Sequence, residues 1–184
     1  IKCMSISSAI ILILRWPSPV VPFAPASKIS TSLSAPKINL FPSWFKCTFL
    51  TVTVSVLGWY SNEPVSSNKE FDSLSGKDYF VKKVYQHKLH WHHLPISDLN
   101  APNHEFKLKW ETTKVLLKNE LVEGKNIILH CRGGKGRAGT VAAILLVDFG
   151  HDKQEAIDLV RERRKGAIET EKQKDFVLSY RAVN

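Results

Sequence analysis

Residues 130–140 read His-Cys-Arg-Gly-Gly-Lys-Gly-Arg-Ala-Gly-Thr. A cysteine precedes an arginine by six positions, with Gly133, Gly134, Gly136 and Gly139 around them. Glycine permits positive φ and lets a backbone come close to a ligand. Such a loop can aim several N–H groups at one point, and a helix N-terminus behind it adds the positive end of its dipole. The expected product is an anion cup with Cys131 at its base. Converging amides and a nearby guanidinium favour the thiolate, which is the nucleophile. Arg137 has the planar fork that grips two phosphoryl oxygens. His130 would bond the loop backbone and steady the cysteine. Together these residues suit attack of sulfur on a phosphoryl group.

Residues flanking the loop must form the elements that hold it. Ile127, Ile128 and Leu129 are a short β-favouring run, expected as a buried central strand. Ala138 to Phe149 is mostly apolar, long enough for a buried helix, and Gly150 is a natural stop. Glu105 to Glu123 reads as an amphipathic helix with Phe106, Leu108, Trp110, Val115, Leu116, Leu117 and Leu121 as its apolar positions. His151 to Arg164 reads as another, its closing Arg161, Arg163 and Arg164 complementing the dipole. Asp175 to Ala182 is expected as a last short helix. Alternating strands and helices indicate an α/β sheet with covered faces.

The pattern His-Cys-x5-Arg after a strand resembles the cysteine-based protein tyrosine and dual-specificity phosphatases, with the likeness greatest to the kinase-associated-phosphatase type. It covers about residues 70–181. The resemblance implies an α/β fold, a central mostly parallel sheet flanked by helices, and no cofactor. It also implies Cys131, Arg137 and Asp98 as the catalytic residues. The phosphate-binding loop would comprise His130, Arg132, Gly133, Gly134, Lys135, Gly136 and Ala138. Expelling an alkoxide or phenoxide needs a proton, which a carboxylic acid can supply. Asp98, in Trp91-His92-His93-Leu94-Pro95-Ile96-Ser97-Asp98, matches the family's general acid. Glu105 is a second carboxyl nearby, beyond Pro102 at the next helix start. Residues 161–173 resemble the family's late loop, Ile-Gln-Thr-x-x-Gln, whose members position water. Gln173 matches its second glutamine, and Glu169 stands in place of the first. Thr170 also has the type of a helix cap. Ala138 replaces the usual serine or threonine that stabilises the departing thiolate, so slow breakdown of the phosphoenzyme is expected.

Other readings of these residues are weaker. A buried inert cysteine would leave the histidine, the arginine and four glycines unexplained. A nucleotide-binding P-loop needs Gly-Lys-Ser/Thr, whereas Lys135 is followed by Gly136. A sulfurtransferase also cups a cysteine in amides, but its loop does not usually have this form. His87, His90, His92, His93 and His104 crowd one region, yet strand period puts His92 and His93 on opposite faces, so no metal site is expected. The lysines between Glu105 and Glu123 read as a solvated face, and no nucleic-acid partner is expected. Arg132 and Lys135 resemble the basic loop of phosphoinositide-cleaving relatives. They suit anionic phospholipid headgroups or are solvated charges.

The net charge of +9 is unevenly placed. Residues 1–62 hold no Asp or Glu and five basic residues, whereas 63–184 hold all 17 acidic residues against 21 basic ones. Six of the nine prolines also lie in the first 62. This boundary divides the chain into an atypical segment, 1–62, and a catalytic domain, 63–184. The early segment has only one strand-like run, Phe49 to Leu57, so the N-terminal strands of the family's sheet are expected to be missing or altered. An acid-free, Ser-rich stretch is consistent with an organellar transit peptide. Ile10 to Leu14 has the character of a short secretory core. A stable membrane span is not expected, since about 18 clean apolar residues are needed. The abrupt change of composition and the lack of an initial Met favour an out-of-frame, misjoined or partial reading frame. Cys3, Cys47 and Cys131 have no paired spacing, which points to a reducing, cytoplasmic setting.

The resulting expectation is a protein phosphatase acting on phosphotyrosine, and on phosphoserine or phosphothreonine, through a phosphocysteine intermediate. Its partner would be a phosphorylated protein. The alternatives are a catalytically impaired phosphate-binding module and a phosphoinositide phosphatase.

Overall fold

The computed structural model describes residues 12–15, 37–40, 50–55 and 77–182. Five strands are present among these: β1 Leu12–Arg15, β2 Lys37–Leu40, β3 Leu50–Ser55, β4 His90–His93 and β5 Asn126–His130. They form one sheet in the order β2-β1-β5-β3-β4. β3 runs parallel to both β4 and β5, while β1 is antiparallel to β2 and β5. Four strands therefore point one way and β1 points the other. The apolar run at 127–129 occupies the middle strand, and the run at 49–57 supplies β3 beside it. Part of the Ile10–Leu14 run lies in β1. The remaining expectations for residues 1–62, including Cys3 and Cys47, fall outside the described residues.

Five helices follow the same numbering: α1 Lys77–Gln86, α2 His104–Val122, α3 Gly136–Asp148, α4 Lys153–Arg163 and α5 Glu171–Ser179. Every residue of α3 is buried, which fits the wholly apolar run Val141 to Val147 that makes up most of it. Its neighbours in the core include Leu94, Ile96, Phe106, Trp110, Ile127 and Leu129. At Gly139 a Cβ would lie 3.0 Å from both Ala167 Cβ and Ile168 N, so the absent side chain lets α3 pack against the loop after α4.

α2 departs from the expected apolar set. Phe106, Trp110, Leu117 and Leu121 are buried, together with Thr113 and Lys114. Leu108, Val115 and Leu116 are exposed. The buried residues follow a helical stripe, and the three exposed ones lie off it. Lys114 is accommodated in that stripe by Glu111, whose Oε2 is 2.7 Å away. The last helix is also corrected: it begins at Glu171, four residues before Asp175. Thr170 caps it and Gln173 completes a capping box, which satisfies the early backbone donors.

The topology sets the site. β4 and β5 both run parallel to β3, with His93 and His130 opposite Ser55 in register. Their C-terminal ends consequently share one edge of the sheet. The chain leaves β5 into Cys131 and leaves β4 through the buried Leu94 and Ile96 toward Asp98. In parallel sheets, ligands bind beyond these carboxyl ends.

Candidate active site

Cys131 is buried at the foot of the loop, and the backbone N–H of Gly134 donates to its Sγ at 3.1 Å. Gly134 adopts φ 63°, the left-handed conformation that permits this turn. Gly136 serves differently. A Cβ there would meet Gln173 Oε1 at 2.9 Å and Glu169 Oε2 at 3.1 Å. Gly133 meets neither requirement, since a Cβ there would enter open space. Arg132 and Lys135 are exposed on the loop.

Arg137 lies in the first turn of α3 with its side chain only 2% exposed. Its NH2 is 3.2 Å from Asp98 Oδ1, and its NH1 donates to the carbonyl of Ile96 at 3.4 Å. One guanidinium thus ties the Asp98 loop to the cysteine loop. Ala138 is fully buried and offers no hydroxyl. The hydroxyl of Thr140, also buried, donates to Gly136 O at 2.9 Å within its own helix. His130 ends β5. Burial first, and then the like charge of His93, push its pKa down to about 4, so the ring is neutral near pH 7.

The structure brings Gln173 and Glu169 to this edge but leaves Glu105 away from it. Glu105 is exposed in the first turn of α2 and pairs with Lys109 at 2.7 Å. Gln173 is fully buried, and its Oε1 accepts from the N–H groups of Glu169 and Thr170. Arg161, expected to complement a dipole, instead donates to the carbonyls of Ala167 and Ile168 at 3.1 and 3.0 Å. Ile168 has φ 56°, rare for a β-branched residue, so Arg161 holds a strained turn. The contact of Arg161 with this turn was not legible in the sequence. Its partners are backbone carbonyls, which leave no periodic signal.

Two of the crowded histidines have partners of their own. His90 pairs with Glu120 at 3.1 Å, and His93 stacks on Trp91 with centroids 5.5 Å apart. Burial first, then the charge of His90, lowers the pKa of His92. Among the described residues, no group of three or more His, Cys, Asp or Glu side chains is placed to hold a metal. None of the described helices is long and apolar enough to cross a membrane.

A strand, a cysteine loop and an arginine-bearing helix beside a carboxylate loop define a class of phosphoryl-handling proteins. The family described as "PTP-SAK: Swiss Army Knife protein, DSP-PTPase phosphatase domain" matches residues 74–177. The chain belongs to this dual-specificity-type family of protein tyrosine phosphatases. It is 37% identical over 68 residues to protein tyrosine phosphatase type IVA 3 of Bos taurus, covering 36% of this chain and 39% of that one. It is 35% identical over 101 residues to cyclin-dependent kinase inhibitor 3 of Sus scrofa, covering 53% and 46% respectively. The chain spans about half the length of the curated relatives it matches. In fold it is similar to kinase associated phosphatase carrying serine for its catalytic-site cysteine. That similarity has a TM-score of 0.57 at 24% identity over 70% of this chain and 66% of the other. The α/β phosphatase fold expected from the sequence is the fold observed.

Proposed function

We propose that the chain is a cysteine-dependent protein phosphatase that acts on phosphotyrosine, and on phosphoserine and phosphothreonine, through a phosphocysteine intermediate. The reading is carried by one observation: Arg137, buried in the first turn of the helix that follows Cys131, contacts Asp98 Oδ1 at 3.2 Å. The side chain assigned as phosphoryl clamp is thereby placed against the carboxylate assigned as acid, on the helix that follows the cysteine loop. In the first step Sγ of Cys131 attacks phosphorus, an S–P bond forms and the P–O bond to the substrate breaks. Asp98 gives its proton to the departing oxygen. Arg137 and the amides of residues 132–138 hold the equatorial oxygens as charge builds there. In the second step Asp98 takes a proton from water, the oxygen attacks phosphorus and the S–P bond breaks. Inorganic phosphate leaves and the thiolate returns. Gln173 is assigned to this step as a positioner of water. No cofactor or metal is invoked.

The catalytic domain is assigned to residues 63–184, with an altered set of N-terminal strands ahead of it. A phosphorylated protein is the intended partner, and a cytoplasmic setting is proposed. Arg132 and Lys135 give the loop its affinity for strongly anionic substrates, including phospholipid headgroups. The test is hydrolysis of a small aryl phosphate and of phosphopeptides by the parent and by Cys131→Ser, with circular dichroism on both. Activity in the parent, lost in a folded variant, is expected. Phosphopeptide binding without turnover by a folded parent would instead identify a binding module. Faster release of phosphate from inositol phosphates would favour the phosphoinositide reading.

A further inference from the structure

The first turn of α5 has more contacts than a helix cap requires. The Thr170 Oγ1 accepts from Gln173 N at 3.3 Å, which is the cap. The same hydroxyl donates to the carbonyl of Leu99 at 3.2 Å. Gln173 also faces two ways. Its Oε1 closes the capping box, while its Nε2 donates to the carbonyl of Asn100 at 3.3 Å. Lys172 Nζ donates to Asn100 Oδ1 at 3.3 Å. Capping explains the bonds inside α5 but not these three, which reach a turn 71–73 residues earlier.

That turn carries Asp98. Asn100 N donates to Ser97 O at 3.1 Å, and Asn100 Nδ2 donates to Asp98 O at 3.1 Å. Leu99 within it has φ 57° and is exposed, so no packing compels its left-handed backbone. Residues other than glycine hold this conformation at a cost and persist in it where neighbours over-determine it. Here the Thr170 hydroxyl holds the Leu99 carbonyl, just as Arg161 holds the strained Ile168. Two left-handed residues are each secured through a carbonyl, and the segment between Ile168 and Gln173 links them.

We propose that the first turn of α5 is a latch that closes the Asp98 loop over the cysteine loop. Thr170, Lys172 and Gln173 are positioning residues for the acid, and Arg161 sets the latch in place. The inference rests on Asp98 being the general acid. It extends the role of Gln173 beyond water: its amide couples the acid loop to the phosphate loop at Gly136, 2.9 Å from the position a Cβ would take.

The test compares two esters and one exchange measurement. Phenyl phosphate has a poor leaving group that needs the acid, and dinitrophenyl phosphate has one that departs as an anion. Lys172→Ala and Thr170→Val are each expected to lower kcat/KM on phenyl phosphate, which reports the P–O cleavage step, about fivefold, roughly the factor of one net hydrogen bond. Loss on the dinitrophenyl ester should not exceed about twofold, because its departure needs little proton donation. Thr170→Ser keeps the hydroxyl and should restore the parent ratio. Amide hydrogen exchange at residues 97–100 should accelerate in both weakened variants, while the thermal midpoint of Lys172→Ala stays at the parent value. Equal losses on both esters, or unchanged exchange at 97–100, overturn the latch. A parent that hydrolyses neither ester removes the phosphatase reading, while the exchange result still decides the latch.

Discussion

Helix α3 has a buried ionic group at each end, and the two ends are built for different purposes. At the N-terminal end Arg137 is held by Asp98 and the Ile96 carbonyl, partners that belong to a loop. At the C-terminal end Asp148 is enclosed by helices. Tyr180 donates to both of its oxygens, at 3.0 and 2.9 Å, and Trp110 Nε1 donates to the Tyr180 oxygen at 2.8 Å. Lys118 donates to the Asp148 carbonyl at 2.8 Å, and Lys114 Nζ lies 3.9 Å from its Oδ1. A small cavity of about 210 Å³ lies over this cluster, lined by Phe106, Trp110, Phe176 and Tyr180 among others. It contains no residue of the cysteine loop. A buried charge with loop partners can trade them for a ligand, whereas one enclosed by side chains of rigid helices anchors the fold. On the proposed function, the same helix carries its chemistry at one end and its attachment at the other.

Substitutions should separate the two ends. The largest effect is expected from Asp98→Asn, which removes the proposed proton donor and should lower kcat/KM by roughly 10²–10⁴-fold on phenyl phosphate. Steady-state kinetics with a thermal melt should find the loss without unfolding. At the opposite end, Tyr180→Phe leaves Asp148 and the Trp110 N–H without their shared partner. It should cost about 2 kcal/mol in urea unfolding while kcat/KM stays near the parent. A large kinetic loss from Tyr180→Phe would mean that the ends are not separate. Gly136→Ala lies between these cases. Its new Cβ would press on the buried Gln173 amide, 2.9 Å away, with about 1–2 kcal/mol of strain and slower hydrolysis.

The smallest predicted effect is one of pH, and His130, at the end of β5, and Asp148, at the end of α3, differ in sign. Burial and His93 lower the His130 pKa to about 4 from 6.5, so the folded protein disfavours the imidazolium. Its contribution to stability is present above 6.5 and is lost as pH falls toward 4. Asp148 behaves oppositely. Burial raises its pKa despite the Tyr180 hydrogen bond, so its contribution is lost as pH rises through that raised value. Urea unfolding across the acid range should give a stability that declines below 6.5, and His130→Asn should flatten that decline. An unchanged slope in the variant would remove His130 as the cause.

What could be read from the sequence follows how local each signal is. β5, the cysteine loop and α3 were legible because an apolar run, four glycines and a long apolar stretch are contiguous. Gly150 ended α3 as expected and has φ 94°. α2 was legible as a helix but not in its facing. Apolar residues occur on two sides of it, and only tertiary packing selects Trp110 and Leu117 over Leu116. The start of α5 is ambiguous in sequence because Thr170 and Gln173 suit both a water-positioning loop and a helix cap. In the structure they cap the helix and also reach the acid loop. The anchor of Asp148, Tyr180 and Trp110 joins residues 32 and 70 positions apart, a separation at which periodicity carries no information.

Ala138 gives the most direct test of the central claim, a phosphocysteine that forms on Cys131 and breaks down slowly. It is fully buried, and the nearby Thr140 hydroxyl is committed to Gly136 O, so no hydroxyl of Ala138 eases departure of the thiolate. The measurement is rapid-quench mixing with an aryl phosphate, followed by mass analysis of the quenched chain. The account predicts a burst of phenol approaching one equivalent and one phosphoryl group on Cys131. Turnover with neither a burst nor phosphate on Cys131 would contradict it.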